Sequence, residues 1–217
     1  MKPRRWLLVF LIAVFYILAF ALYSRMPDPM VTHWDSHGVA NGYMSRFWGM
    51  FLVPFMITGI TLLLLAVPNI DPLKSNITRF RGTYEWFIVF FVFYFLYIYV
   101  ISLLWNAGYH LDFMLLLVPA MAIFFFLVGE LISKAKRNYF IGIRTPWTLA
   151  SDEVWDRTHR VGGRLFKIGA VITLLGIFFP KLAVWFLLVP LSVVSVAVVV
   201  LSYVYFRQLG GKSGTSL

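Results

Sequence analysis

The chain has 217 residues, of which 61% are hydrophobic and only 13% charged, with a formal net charge of +10 and no cysteine. A soluble domain is nearer half apolar and a quarter charged, so this composition excludes an ordinary soluble fold and indicates a chain that crosses a membrane repeatedly. The absence of cysteine excludes disulfides and thiolate metal sites.

Six apolar runs follow in order: Trp6–Tyr23, Phe47–Val67, Trp86–Trp105, Leu111–Ile132, Leu165–Phe179 and Ala183–Phe206. A helix needs about 20 such residues to cross a hydrocarbon layer of about 30 Å. The fifth run is short. It reaches that length if it extends back to Val161, with Arg164 and Lys167 stretching to the surface. Ala19-Phe20-Ala21 fits a small-x-small cleavage pattern, but the apolar run continues into Leu22 and Tyr23. The first helix is therefore read as uncleaved.

Charge orients the spans. Sixteen of the nineteen Lys and Arg fall on the amino-terminal segment, the second and fourth loops and the tail, whereas Arg25, Arg46 and Lys181 fall on the other side. Cytoplasmic loops gather Lys and Arg, so the expectation is a cell-membrane protein with both termini cytoplasmic. The same asymmetry accounts for most of the net charge, and nucleic acid is not an expected partner. The expected fold is an all-α membrane protein of six transmembrane helices. An ordered outer loop joins helices 1 and 2, and an amphipathic cytoplasmic segment joins helices 4 and 5. We divide it into an amino-terminal membrane domain over 1–105, a second over 106–209 and a flexible Gly/Ser-rich tail over 210–217.

The outer loop reads RMPDPMVTHWDSHGVANGYMSRFW. Pro27 and Pro29 stiffen its start, and Gly38 and Asn41-Gly42 are turn signals, so a compact ordered excursion is expected. Topology places the short loop with His110 and Asp112 on the same side as Asp28, His33, Asp35 and His37. Imidazoles with carboxylates can bind zinc, nickel or copper, and a zinc with an open position could activate water. His33, Asp35, His37, His110 and Asp112 are thus candidate metal ligands. Against this, His33 can equally serve a structural hydrogen bond or contact a ligand directly, and there is no HExxH motif. No cofactor is otherwise implied.

The loop after the fourth span reads SKAKRNYFIGIRTPWTLASDEVWDRTHRVGGRLF. Thr145-Pro146-Trp147 predicts a rigid turn. Ser151 is a candidate N-cap, with Asp152 and Glu153 at the positive helix end. Glu153–Arg157 and Asp156–Arg160 are i, i+4 pairs in the favourable order. A helix is expected from about Asp152 into the fifth span, with Trp147 and Trp155 at headgroup level. This loop is either a membrane-surface hairpin or a docking surface for a cytoplasmic protein or lipid headgroup.

No ionisable residue falls at the centre of a span, which disfavours an ion-coupled transporter. Gly169, Thr173 and Gly176 form a small-residue face on the fifth span, and Ser192, Ser195 and Ser202 form one on the sixth. These faces are expected to meet.

Asn138, the run GIRTPWTL from Gly142 through Arg144, Thr145, Pro146 and Trp147 to Leu149, then Trp155, Thr158-His159 and Gly163, closely resemble the signature segment of the SdpI family. The outer loop is similar to the amino-terminal domain of unknown function found in many SdpI-like proteins. Pro27-Asp28-Pro29, Thr32-His33-Trp34, Gly38 and Gly42-Tyr43 match its pattern. Val31 stands where a proline is usual and Asp35 where asparagine is frequent; His37 is outside the pattern. The resemblance implies a non-enzymatic multi-pass protein giving immunity to a secreted, membrane-active peptide toxin, with signalling through the cytoplasmic loop. Asp28, His33, Trp34, Gly38 and Tyr43 would form its outer recognition or structural loop. The expected partners are the lipid bilayer, an external peptide toxin and a cytoplasmic protein at the inner loop. The competing reading is a metal-dependent membrane enzyme or metal-handling protein built on the outer His/Asp cluster.

Overall fold

The structure, a computed structural model, describes residues 3–35 and 38–213. Its helices are α1 (Pro3–Leu22), α2 (Arg46–Ile70), the short α3 (Lys74–Thr78), α4 (Arg81–Asn106), α5 (Phe113–Lys134), the short α6 (Pro146–Ala150), α7 (Asp152–Leu175) and α8 (Ala183–Ser213). Among the described residues, six segments are long and apolar enough to cross a membrane, and they match the six runs in the sequence. The fifth is longer than its apolar run because α7 continues without a break from Ser151, whose side chain accepts the Val154 N–H as an N-cap. α8 continues past Gly210 to Ser213.

The excursion between α1 and α2 is a two-stranded antiparallel hairpin, β1 (Met30–Trp34) and β2 (Ala40–Met44). The sequence indicated order here but not strands. Gly38 takes a φ of +77° in the connecting turn, a conformation that costs glycine nothing sterically.

α1, α2 and α4 pack around Phe15, Met50, Tyr84, Val92 and Tyr99. α5, α7 and α8 form the other half. Phe87, Phe91 and Tyr94 of α4 meet Phe124 of α5 where the halves join.

Proline in the middle of a span removes one N–H and frees the carbonyl four residues earlier, and lipid offers that carbonyl no replacement donor. Pro54 and Pro68 lie inside α2. The carbonyls so freed belong to Met50 and Leu64. The Tyr99 hydroxyl donates to Met50 O at 2.9 Å and the Tyr84 hydroxyl to Leu64 O at 2.8 Å. Two tyrosines of α4 therefore repair two breaks in α2 and set its register. Tyr99→Phe is expected to cost about 1–2 kcal/mol, because it leaves a buried carbonyl unpaired. Thermal unfolding of the detergent-solubilised protein measures that loss, with exposed Tyr109→Phe as the neutral control.

α5 and α7 cross at backbone contact. A Cβ on Gly163 would lie 2.7 Å from the Gly129 carbonyl oxygen, and one on Gly129 would lie 2.7 Å from the Gly163 carbonyl oxygen. Small residues let helices approach this closely. Gly169 on α7 and Gly176 just past its end do pack on α8, but their neighbours there are Pro190, Val194, Phe186 and Ala183. The expected serine face of α8 is corrected on this point. Ser192 and Ser195 are exposed, and only Ser202 is buried. Branched and ring side chains fill the groove above a glycine better than a short hydroxyl does.

Candidate functional site

Two ordered regions lie at opposite ends of the bundle: the hairpin, and the loop of residues 135–145 with α6 and the start of α7.

At the hairpin end, Asn106, the last residue of α4, acts as a surrogate strand. Its Oδ1 accepts the Val31 N–H at 2.8 Å, and its Nδ2 donates to Val31 O at 2.9 Å. Trp34 stacks on Phe113 with ring centroids 4.3 Å apart and meets Trp105 edge-on at 5.7 Å. Asp28 Oδ1 accepts the Arg46 N–H at the start of α2. The hairpin is thereby fixed to α2, α4 and α5. Val39, Tyr43 and, nearby in the chain after α4, Tyr109 are left largely exposed.

Four of the five candidate metal ligands are placed in local roles. His33 Nδ1 bonds Asn41 Oδ1 at 2.6 Å. Asp35 Oδ1 accepts the Val39 N–H in the turn, at 2.9 Å. Asp112 caps α5 by accepting the Leu115 N–H at 3.0 Å. His110 packs against Trp105. His37 lies outside the described residues. Among the described residues, no three His, Asp or Glu gather as a metal site would require.

At the other end, Asn138 is fully buried and uses its whole amide. Nδ2 donates to Lys136 O and Ile141 O, both at 2.8 Å, while Oδ1 accepts the Phe140 and Ile141 N–H groups at 2.9 and 2.6 Å. This pattern coils the loop tightly enough to bring Gly142, at φ +114°, over α7. There the Ile143 N–H donates to His159 Nε2 at 3.0 Å, so the imidazole proton sits on Nδ1 and is donated to Trp155 O at 2.8 Å. His159 is neutral in this network. Its ring stacks on Trp155 at 3.9 Å.

Trp155 is buried within the bundle rather than exposed to lipid, and its indole N–H donates to Ala135 O at 2.9 Å. Trp147 is partly exposed beside Tyr203, as an interfacial residue would be. Thr145 and Thr148 form a reciprocal capping box around Pro146, and Thr145 Oγ1 donates to Ser202 Oγ at 3.0 Å. Thr158 is buried on α7, whereas Arg144 is exposed and donates to Tyr139 O. Glu153–Arg157 pairs as expected. Asp156 instead takes Lys136, which reaches both carboxylate oxygens at 3.0 Å, and not Arg160. The ammonium arrives from the folded loop, a partner invisible to helical spacing.

Two residues of this region were missed in the sequence. Buried Asp71 accepts the Leu73 N–H through Oδ1 and the Tyr139 N–H through Oδ2. Asn76 Nδ2 donates to Arg137 O at 2.8 Å. Together they fasten the loop of one half to the other half. The dipeptide Asp71-Pro72 was the available signal, since aspartate before proline commonly turns the chain by accepting the N–H two residues on.

The motif loop and the two helices beneath it coincide with a family match. Residues 134–204 match the SdpI/YfhL protein family. The expected resemblance therefore holds, and it holds over the segment that Asn138, Gly142 and His159 organise. Residues 8–58, which include the hairpin, match a domain of unknown function (DUF1648). The chain is also similar to the immunity protein SdpI of Bacillus subtilis (strain 168), with 22% identity over 206 residues, covering 94% of this chain and 96% of that protein. No solved structure gives a significant match. Six apolar helices together with the SdpI similarity make this a multi-pass membrane protein.

Proposed function

We propose that this SdpI-like chain is a non-enzymatic immunity protein that protects its own membrane against a secreted, membrane-active peptide. The similarity to an immunity protein along nearly the whole of both chains carries the reading. The charge asymmetry supports an orientation with the motif loop and both termini in the cytoplasm and the hairpin outside. An external peptide would then meet a hairpin braced at three helices, with Val39 and Tyr43 exposed on it. Rigid aromatic side chains on a fixed backbone bind with little loss of conformational freedom. On the opposite side, exposed Tyr139, Phe140 and Arg144 offer a surface to a cytoplasmic protein that would report the encounter.

The test is expression in a peptide-sensitive host challenged with a panel of secreted membrane-active peptides. Protection is expected against at least one of them. Val39→Ser with Tyr43→Ser changes only exposed side chains of the hairpin, so the protein should accumulate normally. Loss of such anchors is worth about 1–2 kcal/mol, so the variant is expected to lose protection at about a tenfold lower peptide concentration than the wild type. Protection unchanged by this pair would overturn the hairpin as the recognition element.

A further inference from the structure

We propose that the arginine-lined mouth of the narrow cleft between α1, α2 and α4, at the end of the bundle opposite the hairpin, binds the phosphate of one anionic phospholipid. Arg4, Arg5 and Arg81 line it together with Glu85, above apolar walls that include the partly exposed Leu64, Leu65 and Pro68. Glu85 is mostly buried, and its two oxygens are divided between Arg4 Nη1 at 2.9 Å and Arg81 Nε at 2.8 Å. Each guanidinium carries five N–H groups, so both keep donors after this pairing. Arg5 stands exposed at the mouth. Three guanidiniums around one carboxylate leave an excess of positive charge in a small volume.

Helix geometry adds to it. α1 and α4 both begin here, so the positive ends of two helix dipoles point toward the same cleft. The level is that of lipid headgroups, because the spans of α1 and α4 start, and that of α2 ends, around this point. Arg4 also lies over the ring of half-exposed Trp86, 5.2 Å from its centroid, as interfacial aromatic and basic residues do. A free phosphate ion would use the guanidiniums but not the apolar walls. A phospholipid uses both, with its acyl chain lying along the partly exposed Leu64 and Leu65 toward the membrane interior.

The test is thermal unfolding of the full chain in detergent, with phosphatidylglycerol, phosphatidylcholine or inorganic phosphate added. Phosphatidylglycerol is expected to raise Tm, and the other two to leave it unchanged. Arg5→Gln preserves the Arg4–Glu85–Arg81 arrangement, so the variant should fold, and it is expected to lose at least half of the rise. Arg160→Gln, an exposed cation on α7, is expected to keep it. An equal rise with inorganic phosphate would show an ion site and overturn the lipid assignment. So would no rise with phosphatidylglycerol, or equal losses in the two variants, which would indicate diffuse attraction to a basic surface.

Discussion

Gly142→Ala is expected to abolish most of the folded protein. Two independent costs meet at this residue. Its φ of +114° lies where L side chains are rarely found, and its Cβ would stand 2.4 Å from His159 Nε2 and 3.3 Å from the Trp155 ring. A left-handed backbone costs an L residue about 1–2 kcal/mol. Forcing a methyl into a filled core costs about 1–3 kcal/mol more. His159 has no room to withdraw, because its ring is stacked on Trp155 and its Nδ1–H is committed to Trp155 O. Relief would come by breaking the Ile143–His159 hydrogen bond and lifting the loop off α7. The measurement is the yield of monodisperse protein and its Tm in detergent, against Gly59→Ala and Gly82→Ala. A Cβ at either control position meets nothing within 4 Å, so both are expected to fold at least as well as the wild type. A Gly142→Ala protein as stable as these controls would disprove the close packing of the loop on α7.

Asn138→Asp is the second large effect, and it isolates hydrogen-bond chemistry from shape. The two side chains have nearly the same volume. The aspartate keeps the acceptor for the Phe140 and Ile141 N–H groups, but it cannot donate to Lys136 O and Ile141 O. It places a carboxylate oxygen against those two carbonyls, in a position that is fully buried. Leaving buried polar groups unpaired costs about 1–3 kcal/mol each, so a total of several kcal/mol is expected. Asn138→Ala removes all four hydrogen bonds but brings no charge. It is expected to be less harmful than the isosteric change. Tm values for the two variants, compared with the wild type, decide the order. If Asn138→Asp proved the milder of the two, the amide would not be the donor that shapes the loop.

Both residues belong to the motif by which the sequence resembles the SdpI family, and the structure explains what the motif is for. Asn138 coils the loop, Gly142 allows it to lie flat, and His159 and Trp155 receive it. The run GIRTPWTL was legible as a rigid turn because Thr145 and Pro146 are local signals, with a cap and a proline within one helical turn. Asp71 and Asn76 were not recognised, because their partners lie more than 60 residues away along the chain. Similarly, the i, i+4 rule identified Glu153–Arg157 but could not reveal that Lys136 would claim Asp156.

What the sequence determined by itself was the membrane character, the six spans, the side on which positive charge gathers and the existence of two ordered loops. These depend on properties summed over 20 or more residues, or on capping and turn signals within a few residues, and both kinds can be read without knowing neighbours. Tertiary structure alone decided the hairpin and its register, the burial of Trp155, the tyrosine hydroxyls that satisfy the carbonyls freed by Pro54 and Pro68, and the backbone contact of Gly129 with Gly163. Each depends on which distant group comes to rest within about 3 Å of a donor, an acceptor or a Cβ. Hydrogen bonds and steric contacts fade within that distance, so only the folded arrangement of helices can determine them.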